Sequence, residues 1–170
     1  MDVQAILYEA CSNTFTYVLD WAVNDPESKD HSLKGAAGAF LWGLISGYLG
    51  GFISQYYKVN GIAEKLMRQT KNGHSALAFL LSNVKILSSV IITAITLLIG
   101  MSLKASSDSD EVMHEDVGIA METTGDVLSD SAYVILSEAL DLPPNSLSLA
   151  VDLTIILVKL WTGELIENYE

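Results

Sequence analysis

The sequence predicts an all-α, polytopic helical membrane protein with two transmembrane helices, a candidate third, and amphipathic extramembrane helices. Three observations carry this. Half of the 170 residues are hydrophobic and only 18% are charged, against about 25% in ordinary soluble domains. Two apolar runs, 35–57 and the stretch between Lys85 and Lys104, hold no charge and are long enough as helices to cross a hydrocarbon core of roughly 30 Å. The remaining charges are segregated: 105–145 holds ten acids and no Lys or Arg, while four of the nine basic residues fall within 58–74.

Taken in order, residues 1–34 read as an extramembrane amphipathic helix and loop. Val3, Ile6, Leu7, Ala10, Tyr17, Val18 and Trp21 recur at the spacing of one helix face, Glu9 and Asp20 fall off it, and NDPESKDHS ends the helix. The run 35–57 is the first transmembrane helix, closed by Tyr56, Tyr57 and Lys58, the aromatic and cationic pairing of a membrane boundary. Residues 58–74 form a basic loop with turn signals at Asn60-Gly61 and Asn72-Gly73. Residues 75–104 read as the second transmembrane helix, its β-branched run tolerated because lipid enforces internal backbone hydrogen bonding.

Residues 105–145 read as an acidic linker and an amphipathic helix with Val117, Ala120, Met121, Val127, Leu128, Val134 and Ile135 on one face, ended by Pro143-Pro144. The segment 146–163 has Asn145 or Ser146 as a cap and Gly163 as a stop. It is apolar nearly all round, but Asp152 and Lys159 interrupt it. Each costs about 2.5–3.5 kcal/mol near a helix centre on an insertion scale, so the segment is either a third span or a helix packed on the others or at the interface. Residues 164–170 are an acidic tail.

Basic residues in short loops mark the cytoplasmic side. That rule puts 58–74 in the cytoplasm, and 1–34 and 105–145 on the non-cytoplasmic side. A third span would then run inward, with Lys159 near its cytoplasmic end.

The net charge of −12 excludes a nucleic-acid partner, which would need basic patches. Cys11 is the single cysteine, so no disulfide framework or thiolate metal cluster forms within the chain. The N-terminal MDVQAILYEACS lacks the basic region of a secretory signal. His31, His74 and His114 fall in three separate loops without zinc-binding spacing, and the acidic run at 108–116 lacks the order of a calcium loop. No G-x-S-x-G, P-loop or dinucleotide fingerprint occurs. The expectation is therefore no catalytic residue, metal or cofactor, and a non-enzymatic protein.

What stands out is Gly43, Gly47 and Gly51 at four-residue spacing, extended by Ala39 and Gly35. Lipid tails are as apolar as Leu, so membrane helices associate by close packing, which small residues permit. The stripe is predicted to be a helix–helix contact face, either between copies or against the second span. Asn83, Lys85, Asp152 and Lys159 are the polar candidates within the apolar segments, since charges inside a span are often functional.

A glycine-striped span, a short basic loop and a second span resemble in outline the plan of pore-forming hairpins and phage membrane proteins. Holins of that kind typically end in a basic tail, whereas this chain ends ENYE. The functional expectation is a small integral membrane protein, with the lipid bilayer as its solvent. It would associate through the glycine face, as a homo-oligomer or as a structural or assembly subunit of a larger membrane or virion complex. Two alternatives stand beside it. One is a pore-forming or transport-associated protein (holin-like or a channel subunit), which requires Asp152, Lys159 or Asn83 to line a wet path. The other is an inducibly inserting helical protein that hides its apolar hairpin in its own core.

Overall fold

Ser32 and Lys58 delimit the first long apolar helix. The Ser32 side chain accepts a hydrogen bond from the Gly35 N–H at 3.1 Å, the usual device for an orphan donor at a helix start. At the other end Lys58 adopts a left-handed conformation, φ 55°, and the Val59 N–H reaches back to the Ser54 carbonyl at 3.0 Å. The computed structural model describes residues 3–24, 32–107 and 115–169. Among them are seven helices and no strand: α1 Val3–Asn24, α2 Leu33–Tyr57, α3 Ile62–Lys71, α4 Ala76–Ser82, α5 Val84–Ser107, α6 Glu115–Ala139 and α7 Ser146–Tyr169. The acidic linker expected at 105–116 falls largely in 108–114, outside the described residues, as does most of the loop after α1.

Two boundaries differ from those the sequence suggests. Residues 75–104 are not one helix, because the chain breaks at Asn83, whose Nδ2 donates to the Phe79 carbonyl at 2.9 Å and closes α4 before α5 begins. A side-chain amide competing for a backbone carbonyl is a local alternative to helix propagation. Gly163 does not stop α7, which runs on to Tyr169. A glycine with helical neighbours on both sides costs only about 1 kcal/mol relative to alanine.

The long helices pack side by side. A Cβ on Gly43 would meet the Ala10 backbone and one on Gly47 the Ile6 backbone, so α1 and α2 run antiparallel. Ser131 of α6 lies 3.3 Å from the Ser46 carbonyl, and Gly61, just past α2, donates to the Glu138 carbonyl; α6 is therefore parallel to α2. Gly100 meets Ser129, and Lys104 further along α5 meets Gly125 earlier on α6, which sets α5 antiparallel to α6. Asn145 bonds Ala5 and Lys159 approaches Asp20, which sets α7 parallel to α1. The start of α1, the 58–74 loop and the start of α7 thus share one end of the bundle. The end of α1, Lys104 and Lys159 share the other.

Within the bundle the last helix runs away from the basic loop. Lys159 lies at the end opposite the basic loop, because α6 itself runs the length of the bundle and α7 starts from the basic end. Likewise α1 and α6, read from sequence as extramembrane, lie alongside α2 and α5 for much of their length.

The interior is built from small and polar side chains. Among the described residues, those of α2 that are buried are Gly43, Ser46, Gly47, Gly50 and Ser54. Large apolar side chains point outward: Leu41, Ile45, Tyr48 and Phe52 on α2, Ile91, Ile95 and Leu98 on α5, and Leu157, Val158 and Trp161 on α7. A water-soluble bundle has the reverse distribution, and an apolar exterior this extensive marks contact with lipid. One cluster of buried aliphatic residues, Val59, Ile62, Ile86 and Ile135, seals the basic end under α3 and α4. Three segments are long and apolar enough to cross a membrane: Leu33–Lys71, of which α2 is the first part, Val84–Ser106 and Ser146–Gly163. The chain is an all-α, multi-pass helical membrane protein.

Candidate functional site

Each long helix contributes to one cavity of about 310 Å³ in the half of the bundle remote from the basic loop. From α1 come Asn13, Thr16 and Asp20, spaced to share one helix face; from α6 come Asp126 and Asp130, one turn apart. Asp152, Ile156 and Lys159 form the α7 wall, α2 adds Ala39 and Trp42, and α5 adds Lys104. Four carboxylates and two ammonium groups therefore converge.

Their pairing is uneven. Lys104 Nζ lies 2.6 Å from Asp126 Oδ1, and Lys159 Nζ lies 3.9 Å from Asp20 Oδ1. Asn13 Nδ2 donates to Asp130 Oδ2 at 3.2 Å. Among the described residues no ion pair to Lys or Arg is found for Asp130 or Asp152, although Lys104 acts electrostatically on both. Outside the wall but next to it, Glu9 of α1 is fully buried. Its Oε1 accepts from the Ser148 hydroxyl at 3.4 Å, and its Oε2 has no hydrogen-bond partner among the described residues. Asp130 and Asp152 act electrostatically on Glu9. In a medium of low dielectric such like charges repel more strongly than in water, and burying them is expensive unless a positive charge is supplied. The acidic excess of the cavity therefore favours an incoming cation or protons over any anion. Among the described residues no three His, Cys, Asp or Glu side chains are grouped to hold a metal ion.

The residues singled out from the sequence are distributed as follows. Gly43 and Gly47 face α1, and Gly35 faces Tyr17 of the same helix, whose ring a Cβ there would enter. The helix across the stripe is α1, rather than the second span. Ala39 lines the carboxylate cavity, and Gly51 lines a second cavity of about 180 Å³ nearer the basic end. Asp152 and Lys159 are brought into the first cavity together, although the nearest carboxylate to Lys159 belongs to α1. Asn83 and Lys85 are remote from it: Asn83 sits at the α4–α5 break and Lys85 is exposed at the start of α5.

Glu9, Asn13, Asp20, Lys104, Asp126 and Asp130 were not nominated by sequence reasoning. The signal was present in α1, where Glu9, Asn13, Thr16 and Asp20 recur at helical spacing. An extramembrane amphipathic helix would turn that side to water, whereas in a bundle with an apolar exterior a polar stripe points inward. The close contact of Gly100 with Gly125 has no repeat in the sequence to mark it. Comparison with protein-family models, with curated proteins and with solved structures finds no match.

Proposed function

We propose that this protein is a non-enzymatic, transport-associated component of a membrane that admits a small cation to the carboxylate-lined cavity. One observation carries the reading: Asp20, Asp126, Asp130 and Asp152 converge with two half-exposed lysines in an open cavity of a helical bundle whose outer surface is apolar. Ionisable groups within a membrane bundle are expensive and typically mark an ion or proton pathway. An assembly role through the glycine face has less support, since that face is covered by α1. A second reading keeps assembly on another surface. Tyr48, Phe52 and Tyr56 form an outward ladder of stacked rings with 6.5 Å between successive centroids, a surface suited to a neighbouring helix.

We also read α1 and α6 as lying at bilayer depth, which makes five crossings. In support, α1 has 22 residues and α6 has 25, about 33 and 38 Å of helix. The outward residues of α1 include Leu7, Tyr8, Phe15 and Val18, while Glu9, Ser12 and Thr16 are buried. The basic-loop end is then cytoplasmic by the distribution of Lys and Arg.

The test is cation flux in liposomes holding the purified protein under an imposed membrane potential. Potential-driven flux is expected, falling roughly tenfold or more in Asp152→Asn. Absence of flux of H⁺, Na⁺ and K⁺ alike would remove the transport reading and leave assembly.

A further inference from the structure

The two cavities are stacked along the same three helices. On α1, Ala5 and Ile6 line the smaller cavity and Asn13 lines the larger. On α6, Val134 and Glu138 line the smaller, and Asp126 and Asp130 the larger. On α2, Gly47, Gly51 and Ser54 line the smaller, and Ala39 and Trp42 the larger. The separation along α1 is about two turns, on the order of 11 Å. Glu9 sits midway in that interval, fully buried, with one carboxyl oxygen unpartnered. Ser54, almost fully buried in the wall of the smaller cavity, also has a hydroxyl without a partner among the described residues.

Around Glu9 the α1 and α2 backbones approach each other closely. A Cβ on Gly43 would come within 2.6 Å of the Ala10 Cα, and one on Gly47 within 3.2 Å of the Glu9 Cβ. Between these two helices beside Glu9 there is no room for a hydrated ion. Each cavity, by contrast, has room for several waters. Water on both sides, a dense barrier and one carboxyl within it are the parts of a proton relay.

We propose that Glu9 is the relay residue that passes protons between the two cavities, so that the cation handled by this protein is H⁺. This rests on reading the larger cavity as a cation site. In the step, the Glu9 carboxylate takes a proton from a hydronium ion in one cavity, forming an O–H bond as one breaks in the hydronium. It then gives that proton to a water in the other cavity. No electron pair leaves the system, and the membrane potential supplies direction. The charged groups facing Glu9 are Asp130 of α6 and Asp152 of α7. Towards it α2 presents Gly43 and Gly47, with no charge. Lys104 of α5 is engaged with Asp126 at the far side of the cavity.

The experiment uses the full chain in liposomes with an internal pH-sensitive dye and a potassium diffusion potential. Wild-type protein is expected to acidify or alkalinise the lumen according to the sign of the potential, without needing Na⁺. Glu9→Gln, which keeps the size and loses the titratable proton, should slow this by roughly a hundredfold. Glu9→Asp should retain measurable flux. Wild-type rates in a folded, monodisperse Glu9→Gln would overturn the relay and leave the cation cavity standing. Flux of Na⁺ or K⁺ in place of H⁺ would also overturn it. Absence of all cation flux would remove the transport reading beneath it. Should Glu9→Gln fail to fold, infrared difference spectra of wild-type protein with isotope-labelled glutamate decide. A glutamic acid C=O band that responds to the imposed pH supports the relay, and its absence overturns it.

Discussion

At Gly43 one methyl group would collide with main chain rather than with a side chain able to turn away. Its nearest neighbours would be Ala10 Cα at 2.6 Å and the Glu9 carbonyl oxygen at 2.9 Å. Relief requires α1 and α2 to separate, so Gly43→Ala is expected to destabilise by about 1–3 kcal/mol, the usual range for overpacking. Gly38 lies five residues earlier on the same helix, and a Cβ there meets nothing within 4 Å. Gly38→Ala should therefore be neutral or stabilising by up to about 1 kcal/mol, through helix propensity and a less flexible unfolded chain. Thermal unfolding of the two variants in one detergent checks the pair. Equal shifts in Tm would mean that the α1–α2 contact is not as close as described. The four-residue register was legible in the sequence, since it needs only spacing. Which helix lies across it was not, because Ala10 and Glu9 carry no mark of their own.

For the helices, legibility followed the local chemistry of their ends. The end of α2 could be read from the Tyr-Tyr-Lys boundary, whereas its start at Leu33, capped by Ser32, lies two residues before the expected 35. The break at Asn83 escaped because asparagine in an apolar run looks like an intramembrane polar residue until its amide is seen on the Phe79 carbonyl. For α1 the sequence shows an amphipathic helix but not which of its faces turns inward. Periodicity reports two faces, and the solvent decides which one turns inward. With Phe15 and Val18 exposed and Thr16 buried, α1 turns its apolar side away from the bundle. Phe15→Lys separates lipid from water as the medium it meets. Against lipid the substitution should cost about 2.5–3.5 kcal/mol near mid-depth and less near an end. It would be measured as lost membrane-inserted protein or a lowered unfolding midpoint in bilayers. If the substituted protein inserts and unfolds like wild type, α1 lies outside the membrane.

Over the whole molecule, side-by-side packing sets which termini and loops share a side. Each long helix is antiparallel or parallel to its neighbour by the contacts of Gly43 with Ala10, Ser131 with Ser46, Gly100 with Gly125 and Asn145 with Ala5. If the bundle stands across a bilayer, the loop containing His74 and the end of α7 near Gly163 must emerge on opposite faces. The positive-inside rule applied to three crossings puts them on the same face, so the two arrangements differ in a measurable way. The native thiol is first removed as Cys11→Ser, and single cysteines are then introduced as His74→Cys or Gly163→Cys. His74 is exposed, and a Cβ at Gly163 meets nothing within 4 Å, so both sites are open to reagent. A membrane-impermeant maleimide added to sealed, uniformly oriented vesicles should label one variant, and labelling of the other should require permeabilisation. Labelling of both from the same side would exclude five crossings. It would also separate the two cavities from opposite aqueous phases, and a relay through Glu9 would then have no gradient to work across.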